Sequence, residues 1–189
     1  MMLKTVLVGA VALAVSAGAS AASFDFTGLN GQNNNSSITV SSDDGTISAV
    51  ATAPGEKVGA FSLDGFGVKS NCCDSRAIGN NETLTITFSE TVDLGDLHLR
   101  QFEGPDSLLL TWDTGSMVLN DGTASINEHR TVNLSGVSFI SLTGQGFLTQ
   151  ATLAGLNNVS AVSEVPVPAA AWLFGSALLG LAGAKRKRA

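Results

Sequence analysis

The chain of 189 residues has no tyrosine, two histidines and two cysteines, so it is poor in residue types that serve many enzyme sites. No Gly-x-Ser-x-Gly turn of the kind that holds a nucleophilic serine occurs. His98 and His129 lack a zinc-ligand spacing to the cysteines. Between the two ends, no long window shows the 3.6-residue apolar period of an amphipathic helix. We therefore predict no catalytic residue and no helical fold.

Basic residues are scarce between the ends of the chain. Half of the 10 cations are Lys4 and residues 185–188, whereas all 16 acidic residues lie between Asp25 and Glu164. Residues 22–164 thus carry 16 acidic residues against five cations, a net charge near −11. This charge argues against nucleic acid and anionic lipid as partners. It suits an extracellular protein or one that meets divalent cations.

The first 21 residues have the anatomy of a secretory signal peptide. Lys4 forms the short basic region, and residues 6–15 are an apolar run. Ala19 and Ala21 are small residues at the −3 and −1 positions, which predicts cleavage after Ala21, with Ala22 as the alternative. The other interpretation is a membrane anchor, but the run is short for a span. A signal peptide implies the Sec translocon and signal peptidase as partners.

The last 25 residues have the pattern of a membrane segment. Residues 165–184 are uncharged, and about 20 residues at 1.5 Å rise cross a bilayer core of roughly 30 Å. The alternative is a buried core helix, but such a helix rarely lacks a polar face. The apolar positions are Ala169, Trp172, Phe174, Leu178, Leu181 and Ala184. A basic cluster follows, and the positive-inside rule places it in the cytoplasm; it consists of Lys185, Arg186, Lys187 and Arg188.

Residues 165–181 read Val-Pro-Val-Pro-Ala-Ala-Ala-Trp-Leu-Phe-Gly-Ser-Ala-Leu-Leu-Gly-Leu and resemble the PEP-CTERM sorting signal. They are closest to the variant that reads Val-Pro-Leu-Pro-Ala, with Val167 in place of Leu. The resemblance implies a Gram-negative host and an exosortase-like enzyme that cuts at the Pro motif. It also implies an inner-membrane precursor that is delivered to the cell surface or an exopolysaccharide matrix. The sorting motif is Val165, Pro166, Val167 and Pro168.

Cys72 and Cys73 are adjacent, and an exported chain meets an oxidising environment. The pair can form a vicinal disulfide, or it can remain as free or intermolecular thiols. Both alternatives fit the sequence.

Two polar loops contain oxygen ligands that Ca²⁺ prefers. They contribute Asp43 and Asp44 in one loop and Asn80 and Glu82 in the other. The loops lack EF-hand spacing, and ordinary turn residues are the alternative interpretation. A structural Ca²⁺ is the only cofactor that the sequence suggests.

Short stretches of alternating apolar and polar residues predict about ten strands in residues 22–156. We expect an antiparallel β-sandwich or jelly roll, followed by a linker over residues 157–164. The clearest strand is residues 83–88, and a separate one is expected at 92–102. A first strand is expected at residues 24–29, and one strand within residues 58–68. Residues 65–68 and 78–89 also resemble a pattern of exported PEP-CTERM proteins with sandwich-like domains.

These features predict a non-enzymatic exported protein with a structural or adhesive role. A carbohydrate-binding module is the first alternative, and it requires exposed aromatic side chains such as Trp112. A hydrolase of matrix polymers is the second. It requires that His98 and His129, or acid pairs such as Asp93 and Asp96, converge in one cleft.

Overall fold

The computed structural model describes residues 21–29, 33–61, 63–69, 77–120, 127–146 and 149–162. The strands in these ranges all pair antiparallel, and the described residues contain no helix. The predicted all-β antiparallel class is therefore confirmed. The strands are β1 Ala22–Asp25, β2 Asn33–Asn35, β3 Ser37–Ser41, β4 Ser48–Thr52, β5 Lys57–Phe61, β6 Gly65–Lys69, β7 Thr83–Arg100, β8 Ser107–Trp112, β9 Gly115–Asn120, β10 Asn127–Gln145 and β11 Thr152–Ala161.

The sheet is organised around its two longest strands, β7 with 18 residues and β10 with 19. These strands pair with each other along most of their length. The first part of β7 continues into β4 and β3, and the last part of β10 continues into β8 and β9. The second part of β7 pairs with β11, which leads to β6, β5 and β2.

Strand β1 pairs with the edge of β11 that is opposite β7. Ala22 lies opposite Val159, and Asp25 lies opposite Gly155. Because the two strands run antiparallel, the first described strand begins beside the end of the last one. Ala22 is buried, and so is Val159.

The alternation of side chains explains why β7 forms a strand. Leu84, Ile86 and Phe88 are buried, while the threonines between them face outward. The pattern breaks at residues 89–91, which are all exposed. Here four residues of β7 oppose one of β10, because the pairing shifts between Val92 and Thr87. The prediction of two separate strands was wrong because this bulge resembles a loop in sequence.

Residues 58–68 form a hairpin of two strands, β5 and β6, and not the single strand that was expected. Their turn contains Leu63 and Asp64. Gly65 then adopts a left-handed φ of 93° and lies against the backbone of β11. Glycines in this stretch serve backbone contact and turn formation, so they conceal the alternation on which strand prediction depends.

Both ends of the domain also differ from the prediction. β1 starts at Ala22 and ends at Asp25, earlier than the predicted strand at residues 24–29. The predicted linker began at Asn157, but β11 continues to Ala161. Val159 is buried between β1 and β7, so this polar-looking segment still contributes to the core. The β3–β4 hairpin with its Asp-Gly turn is confirmed.

One apolar cluster contains residues of β1 and of β3 to β11. Phe26 stacks on Phe66, with ring centroids 4.5 Å apart, and Phe24 lies 6.2 Å from Phe88. Each fully buried aromatic of this kind contributes about 1.5–3 kcal/mol of transfer free energy. Since Phe66 and Phe88 come from different parts of the sheet, these contacts hold the two parts together.

The predicted signal peptide, except for its last residue Ala21, and the predicted C-terminal helix lie outside the described residues. Within those residues, no helix is long and apolar enough to cross a membrane.

Candidate ligand-binding cleft

The two histidines of the chain are stacked on each other. His98 on β7 lies directly opposite His129 on β10, and the ring centroids are 4.2 Å apart with an angle of 13° between the planes. His98 is half-buried and His129 is exposed. Their convergence in one cleft was named above only as a requirement of the hydrolase alternative, and it was not predicted. Sequence reasoning could not predict the pair because only the β7–β10 register reveals that they are neighbours.

Asn127 on β10 lies opposite Arg100 on β7, one outward position further along both strands. Its Oδ1 atom contacts Nε2 of His98 and accepts a hydrogen bond of 3.3 Å from Nε of Arg100. The Nη1 atom of Arg100 donates to the carbonyl oxygen of Leu63. Because Oδ1 only accepts, the hydrogen must lie on Nε2 of His98, and the neutral ring therefore has its lone pair on Nδ1.

Asp25 supplies a carboxylate to the same region from β1. Its Oδ1 accepts hydrogen bonds from the backbone and hydroxyl of Thr27, at 2.8 and 2.6 Å. These bonds, the hydroxyl bond first, hold the pKa of the Asp25 carboxyl below its usual value. Arg100 and His98 act in the same direction with smaller effects, while partial desolvation opposes them.

Asp25, His98, Arg100 and His129 line an open cleft of about 310 Å³ between β1, β7, β10 and β11. Gly155 of β11 is part of its wall. A Cβ built on Gly155 would lie 2.6 Å from the carbonyl oxygen of Phe24, so any side chain would displace β1. The glycine therefore allows β1 to approach β11 and leaves space beside His98. The cleft combines two imidazoles, a guanidinium, a carboxylate and the amide of Asn157.

The four calcium candidates lie in two separate turns. Asp43 and Asp44 are in the β3–β4 turn, near the Phe88 end of the β4–β7 pairing. Asn80 and Glu82 precede Thr83 at the other end of that pairing. The two loops therefore do not form one joint site.

The carboxylates in these turns are engaged by the protein. Asp43 accepts bonds of 2.9 Å from the backbone and hydroxyl of Ser23 on β1. Asp44 accepts bonds from Ser42 and Thr46, and Glu82 accepts one of 2.7 Å from the Gly79 backbone. Across the described ranges, no three His, Cys, Asp or Glu side chains are grouped so that they would hold a metal ion together. Calcium binding stays a prediction.

Asp93 and Asp96, considered above as an acid pair, connect β7 to its neighbours. Asp93 accepts a 2.9 Å bond from the backbone of Gly136, and Asp96 accepts bonds of 2.6 and 2.5 Å from Thr131 and Asn158. Their oxygens thus serve as hydrogen-bond acceptors between strands.

Trp112 is not an exposed platform for a sugar ring. It is partly buried and packs against the apolar cluster, and its indole nitrogen donates a 3.0 Å hydrogen bond to Thr114. A Cβ on Gly115 would lie 2.9 Å from its ring. These contacts agree with a role in the core.

A row of hydroxyl side chains crosses the outer face of the sheet over six neighbouring strands, about 24 Å at a strand spacing of ~4.8 Å. Thr85 and Ser141 are hydrogen-bonded at 2.8 Å in its middle. The row was not recognised in the sequence because its members come from six separate segments. In register order it consists of Ser37, Thr52, Thr85, Ser141, Thr111 and Ser116.

The remaining predicted residues lie outside the described ranges. They are Cys72 and Cys73, the sorting motif at residues 165–168, the apolar helix and the basic cluster. Comparison with protein-family models, with curated proteins and with solved structures found no match.

Proposed function

We propose that this chain is an exported, non-enzymatic protein of the cell envelope or extracellular matrix, with a structural or adhesive role. The main observation that supports this proposal is the order of segments at residues 165–188, where a Pro motif is followed by an uncharged stretch and four cations. The signal-peptide pattern at residues 1–21 agrees with this order. The strongly acidic segment between the two ends supports an extracellular location.

In this proposal the Sec translocon exports the chain, and signal peptidase cuts after Ala21. The C-terminal helix holds the precursor in the inner membrane with Lys185 to Arg188 in the cytoplasm. An exosortase-like enzyme then cuts at the Pro motif and releases the domain to the cell surface or an exopolysaccharide matrix. The antiparallel sheet is, we propose, a sandwich of the jelly-roll type.

Mass spectrometry of the protein from cells that contain an exosortase-like enzyme tests this. We expect a mature chain that begins at Ala22 and lacks the residues after the Pro motif. The double variant Pro166→Ala/Pro168→Ala should retain its C-terminus, and Pro105→Ala serves as the matched control that is processed normally. A wild-type chain that remains intact through Ala189 would contradict the proposal.

The hydroxyl row favours one second candidate, a carbohydrate-binding module for exopolysaccharide. Each Ser or Thr hydroxyl both donates and accepts hydrogen bonds, as sugar hydroxyls do. The row is uncharged, and its central members, Thr85 and Ser141, are half-buried and so held in place. We therefore propose the hydroxyl row, and not the partly buried Trp112, as the surface that binds an extended neutral glycan.

Glycan binding by full-length protein tests the second candidate. Thr52→Val and Thr111→Val each remove a hydroxyl from the row and keep the side-chain shape, so we expect weaker retention on the exopolysaccharide. Thr39→Val is the matched control, since Thr39 is an exposed strand residue outside the row. Equal retention of all three variants would exclude the row as the binding surface.

A further inference from the structure

We propose that His98 and His129 together bind one transition-metal ion of the Zn²⁺, Cu²⁺ or Ni²⁺ class in the cleft. Neutral imidazole is a ligand that these borderline metals prefer, unlike Ca²⁺ and Mg²⁺, which take oxygen. The supporting geometry is proximity. The two rings come from directly opposed positions on neighbouring strands, and their centroids are 4.2 Å apart on the solvent side of the sheet. The proposal does not depend on export of the chain.

The stacked rings must rearrange before they can share an ion. With Zn–N bonds of 2.0–2.1 Å, two nitrogens on one tetrahedral ion are about 3.3 Å apart. An imidazole nitrogen binds a metal in the plane of its ring, and the two ring planes are nearly parallel, so one ring must rotate until both planes meet at the ion. His129 is exposed and the ring torsion of histidine has a broad energy minimum, so His129 is the ring that rotates while Asn127 holds His98.

Asn127 prepares His98 for this role. Metal-binding histidines usually donate their second ring N–H to an oxygen acceptor, which fixes the tautomer and the ring orientation. The contact from Nε2 of His98 to Oδ1 of Asn127 supplies that arrangement. The Nε atom of Arg100 donates to the same oxygen, which identifies this atom as the acceptor of the amide. Nδ1 of His98 is then the nitrogen that coordinates.

The charges around the pair permit a cation. Arg100 is the cation of the cleft, and it is directed toward Leu63 and Asn127 by its own hydrogen bonds. Asp25 lines the same cleft, and its carboxyl is ionised at neutral pH, as an aspartate ordinarily is. Two imidazoles supply half of a tetrahedral shell, so water or an added ligand completes it. We therefore expect an open, exchangeable site and not a structural one.

Copper binding to the untagged full-length chain in detergent gives the sharpest test. The chain has two histidines, so imidazole coordination seen by electron paramagnetic resonance must come from His98 and His129. All proteins carry Cys72→Ser and Cys73→Ser so that thiols do not compete. We expect two nitrogen couplings at one Cu²⁺ per chain, one in His129→Gln, and none in His98→Gln/His129→Gln.

Zinc titration by calorimetry and thermal unfolding provides the second measurement. Zn²⁺ should raise the unfolding midpoint of the wild type and leave that of the double variant unchanged. Asn127→Ala keeps both rings and should weaken binding about tenfold. Lys57→Ala, on a strand remote from the cleft, should bind like the wild type.

Two results would overturn the assignment. One is a copper spectrum of the Cys72→Ser/Cys73→Ser parent with fewer than two imidazole nitrogens, which needs no histidine variant to fold. The other is a stoichiometry of one ion per two chains at all protein concentrations, which would place each histidine in a different molecule.

Discussion

Gly65 lies against the backbone of Leu153, and no other residue fits there. A Cβ on Gly65 would overlap the carbonyl oxygen of Leu153 and lie 2.6 Å from the Cα of Ala154. Its φ of 93° is also in the left-handed region. The contact joins β6 to β11, and with them the β5–β6 hairpin to the rest of the sheet.

Gly65→Ala should therefore be strongly destabilising. We expect a loss of about 2–5 kcal/mol in the free energy of unfolding, from backbone strain and overpacking together. Urea unfolding followed by circular dichroism measures it. Gly55→Ala is the matched control: its φ is 79° but nothing lies within 4 Å of its Cβ, so only about 1–2 kcal/mol should be lost. Equal losses at the two sites would disprove the close contact.

Leu97→Ala should remove a central part of the apolar cluster. Leu97 is fully buried on β7, between β10 and β11, so its truncation should cost about 2–5 kcal/mol. Leu63, at 70% exposure, is the control, and Leu63→Ala should change stability by less than about 0.5 kcal/mol. Denaturant melts of both variants decide the matter, and a small loss for Leu97→Ala would place this strand outside the core.

The hydroxyls of Thr85 and Ser141 should be energetically coupled. Their hydrogen bond of 2.8 Å connects β7 and β10 in a half-buried setting. A double-mutant cycle with Thr85→Val and Ser141→Ala should give a coupling of about 0.5–1.5 kcal/mol. The same cycle with Thr87→Val, a residue exposed on the same face, should give a coupling close to zero.

Asp43 should make stability depend on acid pH. Hydrogen bonds from the Ser23 backbone and hydroxyl lower its pKa from 3.8 in the folded state. A carboxyl with a lowered folded pKa stabilises the fold above its unfolded pKa, and this contribution disappears as pH falls through the folded pKa. Asp43→Asn should therefore reduce the loss of stability below about pH 4.

Thermal unfolding between pH 2 and 7 measures this effect. Glu90→Gln, an exposed residue on β7, is the matched control and should follow the wild type. If stability falls equally steeply at acid pH in Asp43→Asn and in the wild type, other carboxyls account for the fall. Asp113, which accepts hydrogen bonds from Ser138, is one such carboxyl.

Local alternation was sufficient to predict the strand class. Leu84, Ile86 and Phe88 are buried as the period predicts, and the β3–β4 hairpin follows from its Asp-Gly turn. Alternation was insufficient where the backbone departs from regular pairing. The bulges in β10 involve Asn133 and Gly136, both with positive φ, and the bulge at residues 89–91 of β7 made one strand look like two.

The cleft was beyond sequence reasoning for a different reason. His98, His129 and Asp25 belong to three strands whose register depends on long-range pairing. No local period encodes that His98 faces His129, and a slip of one residue would put them on opposite faces. The sequence supplies the residue types, and the sheet alone supplies their proximity.

Ala22 pairs with Val159, so the first and last strands place the two ends of the domain side by side. The segments before Ala22 and after Ala161 therefore both connect to the same end of the domain. Val92 on β7 is the partner of Ala161 and marks this end. His98 lies six residues further along β7, which is about 20 Å from the end. If the flanking segments enter the membrane as we propose, the domain is held at the same end whichever segment holds it, and this length of strand separates the histidine pair from that end.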